Sequence, residues 1–169
     1  MSVSVELSDQ PIVVGPGEGS ALWHGDALWE FRVRSEDTGG RFWLAELTCG
    51  KGWASPVHLH TREDEVFHVL EGRLWVQVDD TQYEVPAGST AYLPLGRPHA
   101  YRVESDTARF LALGAPGGMD GWFFDTGRPA EARTVPPPAT EEPDWPAYVA
   151  ALQSYGVQFI APPPGLETR

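Results

Sequence analysis

Three histidines and a glutamate in this chain have the spacing of a metal site. His58 and His60 stand at i and i+2 in the run VHLH. Side chains two apart on a β-strand point to the same face, so an extended backbone here sets two imidazoles side by side. Glu63, Asp64 and Glu65 follow at once. The residues Thr61 to Asp64 can form a tight turn that returns Glu65 beside the two rings on the next strand. A further histidine, His99, comes after a Pro-x-Gly turn at Pro94 to Gly96. Three imidazole nitrogens and one carboxylate oxygen suit one divalent transition metal, with coordination positions left open for water or substrate. A set with no thiolate admits Fe, Mn, Ni, Co or Zn without choosing among them. Glu63 and Asp64 compete with Glu65 for the carboxylate position. If Glu65 faces the metal, alternation sends Phe67 and Val69 inward and His68 outward.

The elements that must position these residues are strands. With 18 Gly and 16 Pro, the 169-residue chain carries the many turns that an all-β fold needs. Its length fits one domain, or one domain with a terminal extension. Trp29, Phe31 and Val33 alternate with Glu30, Arg32 and Arg34, the period of a half-buried strand. In the next strand Phe42 and Leu44 share one face while Trp43, Ala45 and Leu47 share the other. Apolar residues on both faces point to a sandwich interior on one side and a partner surface on the other, which predicts a homodimer. Strands are expected at 57–59, 65–70, 73–78, 82–85, 89–93, 100–104 and 108–113, with turns between them at the rhythm of a sandwich or barrel. The stretch APGGMDGWFFDTG after Leu113 reads as a loop, and 126–143 as a Pro-rich strap that includes Pro136, Pro137 and Pro138. Asp144 is a candidate N-cap for a helix in which Trp145, Tyr148, Val149, Leu152 and Tyr155 recur at helical spacing, with Gly156 as its stop. VQFIAPPPG then ends the ordered chain. The organisation expected is a β-barrel over 1–125 and a strap with a helix packed on it over 126–169.

Composition excludes several functions. A net charge of −12 repels phosphate backbones and anionic lipid surfaces, so neither nucleic acid nor membrane is an expected partner. No apolar run approaches the ~20 residues of a membrane-crossing helix. The opening MSVSVELSDQPIVV has no basic region followed by an apolar core, so the expected compartment is the cytoplasm. Cys49, the single cysteine, can form no internal disulfide and reads as a small buried residue. His24, between Trp23 and Gly25, reads as a structural histidine rather than a ligand.

The two histidine stretches carry a family resemblance. Gly52, five residues, His58-Leu59-His60, four residues, Glu65, six residues, Gly72 resembles the first motif of the cupin superfamily. Gly88, five residues, Pro94-Leu95-Gly96, two residues, His99 resembles the second, and the fifteen residues from Arg73 to Ala87 separate them. The spacing to Gly72 favours Glu65 over its acidic neighbours. The second motif usually ends in Asn, a residue that is not a ligand; here Val103 holds that place. The resemblance implies an all-β cupin double-stranded β-helix, a jelly-roll barrel, followed by the short C-terminal helix. It implies His58, His60, Glu65 and His99 as ligands of one divalent metal.

Over about residues 15–165 the chain looks like small single-domain bacterial cupins described as quercetin 2,3-dioxygenase-like. That likeness implies a small-molecule substrate: a flavonol, or another aromatic or polyketide-like enol. It also implies Glu65 as the catalytic base and ring cleavage by dioxygen with loss of carbon monoxide. Two alternatives stand beside this: a non-redox metal-dependent isomerase, cyclase or lyase, and a small-molecule-binding cupin without catalysis. Barrel interiors fill with apolar side chains, which nominates Phe67, Trp75, Tyr92, Tyr101 and Phe110 as pocket walls. Tyr101, two residues past His99, should share its face and could offer a phenol to a bound substrate.

Overall fold

The computed structural model of the protein describes residues 10–137 and 144–164. Residues 1–9 of the opening stretch, Pro138 of the proline run and Gly165 of the closing APPPG lie outside the described residues. The chain folds as β1 (Ser20–His24), β2 (Ala27–Val33), β3 (Trp43–Gly50), β4 (Val57–His60), β5 (Asp64–Glu71), β6 (Arg73–Val78), β7 (Thr81–Pro86), β8 (Thr90–Leu93), β9 (His99–Val103) and β10 (Thr107–Ala115). Then come α1 (Asp120–Thr126), β11 (Arg128–Pro129), α2 (Trp145–Ser154) and β12 (Val157–Ala161).

The strands form two antiparallel sheets, in the orders β11-β1-β2-β3-β10-β5-β8 and β12-β4-β9-β6-β7. Together they make the jelly-roll barrel. The period-2 pattern of the sequence is what closes it. In β3, Trp43, Ala45, Leu47 and Cys49 are buried while Leu44, Glu46 and Thr48 alternate outward. In β10 the buried set is Ala108, Phe110 and Ala112, and in β5 it is Glu65, Phe67 and Val69. Except for Glu65, these inward residues meet Leu74, Val76, Tyr101 and Val103 from the second sheet in one core. Each Val, Leu or Phe side chain so removed from water contributes roughly 1.5–3 kcal/mol.

Tight turns hold the register. Gly72, between β5 and β6, has φ +79°, and a Cβ there would lie 2.3 Å from the Thr107 carbonyl oxygen, so only glycine fits. Gly96 donates its backbone N–H to the His60 carbonyl at 2.8 Å, which fastens the loop before His99 to the end of β4.

Three elements after β10 were not legible in the sequence pattern. Residues 120–126, expected to be loop, form α1, which buries Asp120, Trp122 and Phe123. Seven residues cannot sustain a helix alone, so tertiary packing holds it. Phe123 lies 3.9 Å from Trp29 between ring centroids, and Asp120 accepts the Ser35 backbone N–H at 2.9 Å. Farther on, the strap adds β11 to the edge of β1 and covers the outer face of the first sheet there. Trp23 donates to the Thr134 carbonyl at 2.8 Å, and Arg133 pairs with Glu30 at 2.6 Å. Finally VQFIA is a strand, β12, antiparallel to β4. The helix before it is as expected, with Asp144 accepting the Ala147 N–H at 3.1 Å as N-cap.

Candidate metal centre

Three strands of the barrel place the four candidate ligands. His58 and His60 stand on β4, and His58 is the register partner of His99 on β9. Glu65 enters from β5 in the opposite sheet, after the turn that Thr61 to Glu63 make. One ligand atom from each of His58, His60, Glu65 and His99 lies within 4.8 Å of the other three. Ring centroids are 4.4 Å apart for His58 and His99, 5.2 Å for His58 and His60, and 5.3 Å for His60 and His99. His60, Glu65 and His99 are buried, and His58 is the most accessible of the four.

The outer nitrogens fix the tautomers. His58 Nδ1 lies 2.8 Å from the Pro56 carbonyl and His99 Nδ1 lies 3.0 Å from the Arg97 carbonyl. A carbonyl only accepts, so each Nδ1 carries the proton and each Nε2 presents a lone pair. His60 Nδ1 faces a carboxylate instead, Glu63 Oε1 at 3.1 Å. The other Glu63 oxygen accepts the Trp43 indole N–H at 3.1 Å.

The inner atoms are left without partners. His60 Nε2, His99 Nε2 and Glu65 Oε2 are buried and make no hydrogen bond. His99 Nε2 lies 3.3 Å from Glu65 Oε2, and His60 Nε2 lies 3.9 Å from it. Two lone pairs facing a carboxylate in a buried site are unfavourable unless a cation sits among them. The donor set therefore fits a divalent transition metal.

Electrostatics agree with that fit. Burial, and after it the neighbouring His99 and His60 rings, lowers the His58 pKa to about 3, so this ring is neutral at physiological pH. Burial would raise the Glu65 pKa, but the imidazoles around it outweigh burial and hold it below the usual carboxylate range. Burial likewise pulls His60 down, and the Glu63 and Glu65 carboxylates outweigh it and draw that ring up. The upward pull on His60 reports negative potential at that ring, which is what a bound cation requires.

The comparisons follow the same residues. The cupin domain family matches residues 45–114, a span holding all four. Over 139 residues the chain is 30% identical to quercetin 2,3-dioxygenase of Bacillus subtilis (strain 168), which covers 82% of this chain and 41% of that protein. This chain is a cupin. It is also 36% identical over 56 residues to an uncharacterized protein of Methanocaldococcus jannaschii, covering 33% of this chain and 45% of the relative. The cupin thus spans less than half the length of either curated relative. Among solved structures, a predicted oxalate decarboxylase from Thermotoga maritima has a TM-score of 0.57 at 17% identity, covering 62% of this chain and 98% of its own. An RmlC-like cupin from Shewanella frigidimarina has a TM-score of 0.56 at 20% identity, covering 66% and 97%. At these identities the likeness is one of fold.

Of the five pocket candidates, this cupin turns three inward. Phe67, Tyr101 and Phe110 are buried and in mutual contact, with ring centroids 4.7–5.8 Å apart. Phe67 lies two residues from Glu65 and Tyr101 two from His99, so both share the ligand face. Burial first, and then the Glu65 charge, holds the Tyr101 phenol well above its usual pKa, so it stays a neutral donor. Trp75 and Tyr92 are not brought to the cluster. Val76 pairs with Tyr101 and Leu93 with Glu65, so these are the inward residues of β6 and β8 and their neighbours face out. Trp75 lies under the Arg102 guanidinium on the outside, and Tyr92 is 58% exposed with its hydroxyl on Asp64. That contact also accounts for Asp64, which faces away from the histidines and accepts the Leu95 N–H at 2.8 Å.

His68 points outward and contacts Thr90 Oγ1 at 2.9 Å, and Cys49 is fully buried. Glu63, a rival to Glu65 for the carboxylate position in the sequence, lies instead on the outer nitrogen of His60.

Proposed function

We propose that His58, His60, Glu65 and His99 hold a divalent transition metal and that this cupin is a dioxygenase acting on an enol, with a flavonol as the leading substrate. The observation that carries the metal half is the set of buried, unpartnered Nε2 and Oε2 atoms facing one another. The likeness to quercetin 2,3-dioxygenase supports the choice of reaction and substrate. When bound, the metal supplies Lewis acidity toward an enol oxygen and a site for dioxygen. The protein's own contribution is preorganisation. Glu65, held ionised by the imidazoles, accepts the enol proton at its carboxylate. The Tyr101 phenol donates a hydrogen bond to substrate oxygen. Phe67 and Phe110 form an aromatic floor that excludes water and matches a planar ring system. His58, the most accessible ligand, marks the side from which substrate arrives.

The test is oxygen uptake with a flavonol by protein reconstituted separately with Fe, Mn, Ni, Co and Zn. Uptake matched by carbon monoxide release with at least one metal is expected. Metal bound at one per chain with no uptake for any of them would move the function to a non-redox reaction or to ligand binding.

A further inference from the structure

We infer that Glu63 and Trp43 form a positioning relay for His60 and that the absence of a side chain at Gly114 makes the relay possible. The inference rests on the metal-centre reading above and extends it to residues outside the ligand set.

The relay starts in the sheet. Trp43 on β3, Gly114 on β10 and Glu65 on β5 are register partners in one row across three adjacent strands. The Trp43 indole lies over the middle position. A Cβ on Gly114 would be 2.2 Å from Trp43 Nε1 and 2.5 Å from Cε2, closer than any real contact. Glycine therefore keeps a lane open across β10, and through it the indole reaches the turn between β4 and β5. There its N–H meets Glu63 Oε2 at 3.1 Å, while Glu63 Oε1 meets His60 Nδ1 at 3.1 Å. Trp43 is fully buried and Glu63 is 4% exposed. A buried carboxylate with a donor on each oxygen is held at both ends.

The consequence for the metal is chemical. His58 and His99 give their Nδ1 protons to neutral backbone carbonyls. His60 alone gives its proton to a carboxylate. A carboxylate–imidazole–metal arrangement raises the basicity of the ligating nitrogen and fixes its tautomer. His60 is thereby the strongest of the three imidazole donors. The indole has a second effect: by occupying Oε2 it keeps Glu63 from turning toward the cluster and competing with Glu65.

The experiment titrates metal-free protein with Co(II), following its visible absorption, for the wild type, His99→Ala, Glu63→Gln, Trp43→Phe and the double variant Trp43→Phe/Glu63→Gln. Glu63→Gln should weaken Co(II) binding by about 10–100-fold with one site per chain retained. Trp43→Phe should weaken it less, and the double variant should bind no more weakly than Glu63→Gln alone, because the indole acts only through the carboxylate. Nitrogen-15 NMR of the wild-type imidazoles gives a readout independent of any variant's folding: His60 should be the Nδ1–H tautomer. Wild-type affinity in Glu63→Gln, or an Nε2–H tautomer at His60, would overturn the relay. No binding by the wild type, or binding unchanged in His99→Ala, would overturn the metal centre and the relay with it. Binding lost in His99→Ala but intact in Glu63→Gln would remove the relay alone.

Discussion

At the scale of the residue, the cluster divides its work between inner and outer atoms. Nε2 atoms and one carboxylate oxygen face inward without partners, and the outer nitrogens are each committed to an acceptor. Glu65 is the residue with two possible duties, ligand and base. Glu65→Gln keeps the shape and removes the charge that the imidazoles hold ionised. We expect bound metal to fall below one per chain and flavonol turnover to drop by at least ~100-fold, the usual contribution of a positioned base. Elemental analysis and oxygen uptake on the same preparation read the two duties separately. Full metal content with lost turnover would leave Glu65 as base only, and full activity would remove it from both roles.

At the scale of the element, the docking of α1 onto the barrel depends on an uncharged histidine. His24, at the end of β1, packs 4.3 Å from Trp122 and 5.4 Å from Phe123 between ring centroids, and its Nε2 lies 3.1 Å from Thr126 Oγ1. Thr126 Oγ1 already donates to the Trp122 carbonyl, so His24 is the donor in that contact. Burial lowers the His24 pKa from 6.5 to about 4. The sign follows: as pH falls through 6.5 the unfolded chain takes up a proton that the folded ring refuses until about pH 4. Stability contributed by the neutral ring is complete above pH 6.5 and is lost across that window. The shift corresponds to roughly 3 kcal/mol at most. Urea unfolding of wild type and His24→Phe between pH 7 and 4 should show the wild type losing up to that much more. Parallel pH profiles would count against the assignment.

At the scale of the whole molecule, one face is left over. The strap covers the outer face of the first sheet at β1 and β2. Farther across the same sheet, Leu44, Val66, Leu111 and Leu113 are half-buried, Leu70 is 38% exposed and Tyr92 is 58% exposed. Among the described residues this strip has no cover from the chain itself. A second copy of the chain supplies it in the arrangement we expect, a homodimer. Sedimentation at micromolar concentration should give twice the 18.5 kDa chain mass, and Leu113→Arg should return it to one. A wild-type monomer would refute the expectation.

The sequence by itself determined what depends on local spacing. Two histidines at i and i+2, a glutamate after a short turn and a third histidine behind a Pro-x-Gly turn were all readable, because a strand's two-residue period and a turn's residue types act over a few positions. The strand boundaries of the barrel were readable to within a residue or two for the same reason. What the tertiary structure decided is everything that depends on which strand lies beside which. Alternation gives relative phase along a strand but not which face is inside, so Trp75 and Tyr92 could not be told from Val76 and Leu93 until β6 met β9 and β8 met β5. Helix α1 has too little helical pattern of its own, and β12 is a five-residue edge that exists only because β4 offers it an open ladder. Glu63 is the clearest case. The spacing to Gly72 singles out Glu65, but Glu63 and Asp64 are equivalent as a string; they are separated by an indole from β3, crossing a glycine on β10, to reach one of them. The partners involved are 20 and 51 residues away from Glu63 along the chain, a range over which no local pattern carries information.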